Sequence, residues 1–229
     1  MCIRDSLWGT AVSAHQVEGD NIHNDWWDYE QRGLLSHRSG RACDFWNRWK
    51  DDMDLIAGWG HNAFRFSVEW SRIEPVPGEF QEEVIERYAE MIACLRDRGV
   101  EPLVTLHHFT NPLWFAELAG WEKRDNVRYF LRFVDRVVAV LAPHVRYWIT
   151  VNEPMVYAYS SYASGIWPPR KKDFHLAVRV TGNLLAGHAG AYGIIHRHRP
   201  DAMVSIAQHF RVIQPYRRWH PGDQIAAIV

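Results

Sequence analysis

AFRFSVEWSRIEPVPGEFQEEVIERYAEMIACLRDRGVEPLVTLH, residues 63–107, decides the fold. Over Ala63 to Trp70, Phe64, Phe66, Val68 and Trp70 alternate with Arg65, Ser67 and Glu69. That is the period of a strand with one apolar face. From Glu82 to Arg98 the period becomes helical, grouping Val84, Tyr88, Met91, Ile92 and Leu95, and Gly99 stops it. Leu103 to His107 is a second apolar run of strand length. Strand, amphipathic helix and strand in that order predict a parallel pair joined by a right-handed crossover.

The same unit recurs on either side. Further strands are predicted at Leu7 to Ser13, Tyr147 to Asn152 and Met203 to His209. Asp44 can N-cap a helix with Phe45, Trp49, Met53 and Ile56 on one face. Asn126 to Leu141 groups Phe130, Val134, Val137, Val138 and Leu141 and ends before Pro143, and a further helix runs from Leu176 to His196. Two α/β architectures accept such a series. A doubly wound sheet calls for a glycine-rich loop after the first strand, which Gly9-Thr10-Ala11-Val12-Ser13 does not supply. A (β/α)₈ TIM barrel calls for long segments after the strands, where its active site is built, and these are present. Five strands precede Val229, so residues 1–229 are expected to be one barrel domain, truncated after about five strands.

Composition narrows the function. A net charge of −1 gives nothing to steer the chain to nucleic acid or an anionic membrane. His196-Arg197-His198-Arg199, the most basic stretch, reads as an exposed helix end. No run approaches the roughly 18–20 apolar residues of a membrane span, and Met1 to Ser6 lacks the apolar core of a signal peptide. Cys2, Cys43 and Cys94 are odd in number and lack metal-ligand spacing, which predicts a reducing, cytoplasmic setting. No metal or other cofactor is expected. The twelve tryptophans are abundant, and flat indole faces suit sugar rings as well as protein cores.

Polar residues gather at the predicted C-terminal strand ends: His15, Gln16 and Glu18; His107 and His108; Asn152 and Glu153; Gln208 and His209. Arg65 and Glu69 are expected to point into the barrel, where a buried arginine should meet a carboxylate. Glu153 closes the run Tyr-Trp-Ile-Thr-Val-Asn and is followed by Pro154, which marks the strand end. A carboxyl group there is placed for general acid work, or else it pairs with an arginine to hold the barrel. His107 and His108 face opposite ways if the strand is regular, so they do not share a metal. His107 is expected to be structural and His108 to meet a sugar hydroxyl.

At these residues the chain resembles the family-1 glycoside hydrolases, the β-glucosidase and β-galactosidase group. The likeness is carried by LWGTAVSAHQVEG (7–19), FRFSVEWSRI (64–73), PLVTLHHFTNP (102–112) and TVNEP (150–154), in order and at barrel spacing. It implies a retaining exo-β-glycosidase whose partner is a small β-glycoside or oligosaccharide. Glu153 would be its general acid/base. Gln16, His108 and Asn152 would bind sugar hydroxyls, and Arg65 would hold the nucleophilic carboxylate. The family's Thr-Glu-Asn-Gly nucleophile motif does not occur in these 229 residues, which predicts that they are inactive alone. Phe109 and Thr110 stand where many members have Trp and Asp, and Glu69 where many have a smaller residue. Met1 to Ser6 does not resemble the family lead-in and reads as a non-native junction. Two other readings remain: an endo-glycanase barrel, which would have an open cleft, and an inactive sugar-binding barrel, which would not need Asn152 and Glu153. The glycone, the aglycone and the oligomeric state are open.

Overall fold

The computed structural model describes residues 6–210 and 213–228. Cys2 and the rest of residues 1–5 lie outside them. Among the described residues Cys43 and Cys94 are free thiols.

Each strand is followed by one or more helices. β1 (Gly9–Ala11) leads to α1 (Ala14–Val17), α2 (Asp25–Gln31) and α3 (Phe45–Gly58), and β2 (Ala63–Ser67) to α4 (Trp70–Ile73) and α5 (Glu82–Asp97). After β3 (Glu101–His107) come α6 (Leu113–Glu117) and α7 (Val127–Leu141). α8 (Pro154–Ala158) and α9 (Phe174–His198) follow β4 (Tyr147–Asn152), and α10 (Pro221–Ile228) follows β5 (Met203–Ala207). All four strand pairs are parallel and the sheet order is β1-β2-β3-β4-β5. A doubly wound sheet reverses its strand order at a switch point. This sheet has no reversal, so these are five consecutive units of a (β/α)₈ barrel.

Two layers bury the core. Phe64, Phe66, Val104, Leu106, Trp148 and Val151 meet apolar faces of the long helices, and α3, α5, α7 and α9 pack in sequence. Gly187 eases the approach of α9 to its neighbours, since a Cβ there would come within 3.2 Å of the Phe130 and Trp121 rings. Trp70, Trp121 and Trp148 are fully buried, each worth roughly 3–5 kcal/mol against alanine. These tryptophans build the core and are not available to sugar.

Several predicted element ends shift. Strand two stops at Ser67, because Glu69 N-caps α4 and Trp70 opens that helix, its ring 5.1 Å from that of Phe133. The hydrogen-bond partners of the Glu69 carboxyl are Ser71 and Thr110. β1 covers Gly9–Ala11 of the expected Leu7–Ser13, and β5 ends before Gln208 and His209. Asp44 does precede α3, but in the left-handed region and without a side-chain cap; its carboxylate instead accepts from Arg41 and Asn47. α9 is longer than its pattern because Asp173 caps it, accepting from the Leu176 amide at 3.0 Å. No helix among the described residues is long and apolar enough to cross a membrane.

Candidate active site

The parallel register lines up the strand ends, and the rim they form gathers Arg65, His108, Asn152 and Glu153. Arg65, half-buried on β2, donates through Nε to Thr105 Oγ1 at 3.0 Å and through Nη2 to Asn152 Oδ1 at 2.5 Å. Its hydrogen-bond partners are thus neutral, unlike the carboxylate expected from sequence. Burial lowers the pKa of its guanidinium, and the charge of Glu153 opposes that shift. Glu153 is accordingly the carboxyl group close enough to matter electrostatically to Arg65.

Asn152 ends β4 and is buried, whereas Glu153 remains partly accessible. The Glu153 backbone is left-handed, with φ 44° and ψ 60°, and Pro154 follows at the first position of α8. A non-glycine residue there costs about 1–3 kcal/mol and persists because its surroundings over-determine it. Here the Glu153 amide donates to the Ala207 carbonyl at 2.7 Å and its carbonyl accepts from the Tyr157 amide at 3.0 Å. Strand β5 and helix α8 thus hold the bend from both sides.

The two histidines of the β3 end part as alternation requires. His107 is buried, its ring 5.3 Å from Trp121 and its Nε2 3.1 Å from Asn111 Oδ1. Burial brings its pKa down to about 4. His108 is brought down to about 3, first by burial, then by the positive charge of Arg65 and by His107. A neutral imidazole beside an arginine can exchange hydrogen bonds with hydroxyls but cannot supply a proton at neutral pH.

Gln16 is placed apart from this cluster. It is exposed on α1 and accepts from Ser13 Oγ at 2.8 Å. It lines a cavity of about 520 Å³ with Trp26, Arg38 and Trp167. An aromatic chain links that cavity to the rim: Trp26 is 5.5 Å from Trp167, and Trp167 is 4.8 Å from Phe109. Trp26 and Trp167 thus line a cavity, unlike the fully buried Trp70, Trp121 and Trp148.

Two buried polar networks brace the rim, and neither is visible as a motif. Asn111 donates to Asp25 Oδ2 at 2.8 Å and to the Tyr157 hydroxyl at 3.0 Å, and it accepts from Trp121 Nε1 at 2.8 Å. Residues 86, 46 and 10 positions away meet there, so local sequence carries no signal for it. In the second network, Glu18 accepts from Tyr88 at 2.5 Å, Arg72 at 3.2 Å and Asn21 at 3.2 Å. The carboxyl of Glu69 accepts from Ser71 and Thr110. Glu18 and Glu69, the nearby acids by strand position, are thus engaged in holding the scaffold. Among the described residues no cluster of histidine, cysteine and acidic side chains could hold a metal ion.

Burial pushes Glu18 from 4.5 up to about 7 against the opposing pull of Arg72, and Asp25 from 3.8 up to about 7 against the Asn111 hydrogen bonds. Both acids hold protons in the folded protein at a pH where the unfolded chain has lost them. Their stabilisation is complete below about pH 4 and is lost as pH rises to about 7. His107 and His108 act oppositely, destabilising the fold as pH drops below 6.5 towards their lowered values. Glu18→Gln should therefore gain on the parent between pH 5 and 7, by at most about 1.4 kcal/mol per pH unit. Unfolding measured against pH in a chain of the relatives' full length checks this. Parallel curves for the two proteins would show that Glu18 does not hold a proton in that range.

Comparison with known proteins finds relatives named as glycosidases. The model of a family described as glycosyl hydrolase family 1 matches residues 3–228. The chain is 30% identical over 223 residues to beta-glucosidase A of Thermotoga maritima, covering 91% of this chain and 49% of that one. It is 30% identical over 230 residues to a 6-phospho-beta-glucosidase of Bacillus subtilis, covering 96% and 49%. Among solved structures, a beta-glycosidase from Pyrococcus horikoshii matches with a TM-score of 0.90 at 42% identity, over 97% of this chain and 51% of that one. The beta-glucosidase of Thermotoga maritima in complex with glucoimidazole matches with a TM-score of 0.92 at 28% identity, covering 98% and 53%. The chain spans about half the length of the relatives it matches.

Proposed function

The chain belongs to glycosyl hydrolase family 1, and from that premise we propose that it carries the acid/base side of a retaining exo-β-glycosidase site. Its substrates would be small β-linked glucosides or galactosides. One observation carries the reading: a partly accessible Glu153 on a left-handed bend, beside Asn152 and close to the Arg65 charge.

In this mechanism Glu153 gives its proton to the leaving oxygen as a carboxylate on the opposite face of the sugar attacks the anomeric carbon. The glycosidic bond breaks, the alcohol departs, and a covalent glycosyl-enzyme forms. Glu153, now a carboxylate, takes a proton from water, whose oxygen then displaces the enzyme from the sugar. Asn152 and neutral His108 would bind hydroxyls of the reacting sugar, and Gln16 would reach it from the β1 side. Arg65, bonded in this structure to Asn152 and Thr105, would use its remaining donors to orient the attacking carboxylate. That second carboxylate is not Glu18 or Glu69, whose oxygens are engaged elsewhere. The 229-residue chain on its own is therefore proposed to be inactive.

The test is a panel of nitrophenyl glycosides offered to a chain of the relatives' full length, with the product anomer followed by NMR. Hydrolysis of the β-glucoside or β-galactoside with the β-anomer released first is expected, with no turnover by the 229-residue chain. First release of the α-anomer would exclude retention. Sugar binding without turnover would favour the non-catalytic barrel, and cleavage confined to internal bonds of a polysaccharide would favour an endo-acting enzyme.

A further inference from the structure

The β3 rim depends on a backbone conformation that phenylalanine does not favour. Phe109 has φ 75°, and the Thr110 amide donates to the His108 carbonyl at 3.0 Å. His108, Phe109 and Thr110 thus form a γ-turn with its central residue at positive φ, the strained kind. Such a turn lasts only where neighbouring contacts enforce it.

Contacts on both sides do so. On one side Asn111, anchored by Asp25 and Tyr157, holds its Nδ2 3.3 Å from the Phe109 carbonyl. On the other, the buried Thr110 hydroxyl donates to the two Glu69 oxygens, 2.9 and 3.2 Å away. Glu69 is only 1% exposed, and its Oε1 also accepts from the Ser71 hydroxyl at 2.6 Å and the Ser71 amide at 3.4 Å. One carboxyl group therefore ties the start of α4, beyond β2, to the turn beyond β3. The turn brings the Phe109 ring to 4.8 Å from Trp167, parallel to Tyr157 at 6.3 Å and against His108 at 5.0 Å.

We propose that Glu69 is a positioning residue for the substrate wall: through the Thr110 hydroxyl it holds the strained turn that places Phe109 against Trp167 and His108 beside Arg65. Its consequence for substrate rests on the glycosidase reading above. The mechanical link from Glu69 to Phe109 does not.

Thr110→Val, Thr110→Ser and Glu69→Gln, made in a chain of the relatives' full length, test both parts. Valine keeps the shape of threonine but has no hydroxyl to donate, whereas serine retains the donor. Crystal structures of Thr110→Val and Thr110→Ser should show Phe109 leaving positive φ and separating from Trp167 only in the valine variant. With that loss, KM for aryl β-glycosides should rise about three- to tenfold, the value of one aromatic contact, while kcat changes by less than about twofold. Thr110→Ser should match the parent in both. If Thr110→Val does not fold, Glu69→Gln, which keeps the volume and one acceptor oxygen, is compared with the parent in the same way. An unmoved Phe109, a serine variant as impaired as valine, or a loss confined to kcat would each overturn the proposal. Absence of all glycosidase activity in the parent would instead defeat the functional reading, and the crystal structures would still decide whether Glu69 holds the turn.

Discussion

Glu153→Gln, in a chain of the relatives' full length, is expected to slow cleavage of alkyl β-glycosides and disaccharides by roughly 10²–10⁴-fold, the usual value of a positioned general acid. Nitrophenyl glycosides should lose far less in the bond-breaking step. A nitrophenolate leaves without a proton, whereas an alkoxide does not. Glutamine preserves the volume of the side chain and, at the same left-handed bend, its direction, so the loss isolates the proton. The second half-reaction needs Glu153 as a base, so the glycosyl-enzyme should accumulate on activated substrates. Azide, a nucleophile that needs no deprotonation, should then release it as the glycosyl azide. Kinetics of the two substrate classes side by side decide the matter. Equal losses on both, without azide rescue, would remove Glu153 from the proton-transfer role.

A large effect on stability is expected at Asn111. Asn111→Ala should cost about 3–5 kcal/mol, in the range seen when a buried charged or polar group loses its partner. The reason lies in what stays behind. Asp25 loses the 2.8 Å bond to its Oδ2, Trp121 Nε1 loses its acceptor, and His107 Nε2 loses its partner, all in the interior. Asp25 keeps only the bond from the backbone amide of residue 111. The Asn111 side-chain bond also holds the Asp25 pKa down against burial, so the variant should raise it further and shift the pH dependence of unfolding upward. Denaturant unfolding at several pH values measures both. A loss under about 1 kcal/mol would mean that water or a neighbour satisfies the three groups.

The strands and the long helices were legible because their causes are local. Phe130, Val134, Val137, Val138 and Leu141 repeat at helical spacing and are all buried, and Phe64 and Phe66 alternate with Arg65 and are buried too. Element ends were less legible. Trp70 continues the strand alternation by one more step, yet its ring is claimed by Phe115, Phe130 and Phe133 from later elements. Asp44 looks like a cap in sequence, but Arg41 and Asn47 hold its carboxylate away from the helix amides. Glu69 shows the same limit. Its place in an alternating run pointed into the barrel, while β2 ends two residues earlier and Glu69 instead caps α4 and accepts from Thr110.

What the sequence determined by itself was the order of strand and helix, the family resemblance, and which residues to expect at the rim: Gln16, Arg65, His108, Asn152 and Glu153. Each follows from side-chain period or from a contiguous motif, and both act over a few residues of chain. Only the tertiary structure decided how those groups meet. It joined Arg65 to Asn152 across 87 positions of sequence, set Gln16 in a separate cavity with Trp26 and Trp167, and assigned Glu18 and Glu69 to the scaffold. Hydrogen bonds and burial depend on distance in space. A parallel sheet brings strand ends together only after each intervening helix has packed, so those pairings exist in the fold and in no segment of the chain.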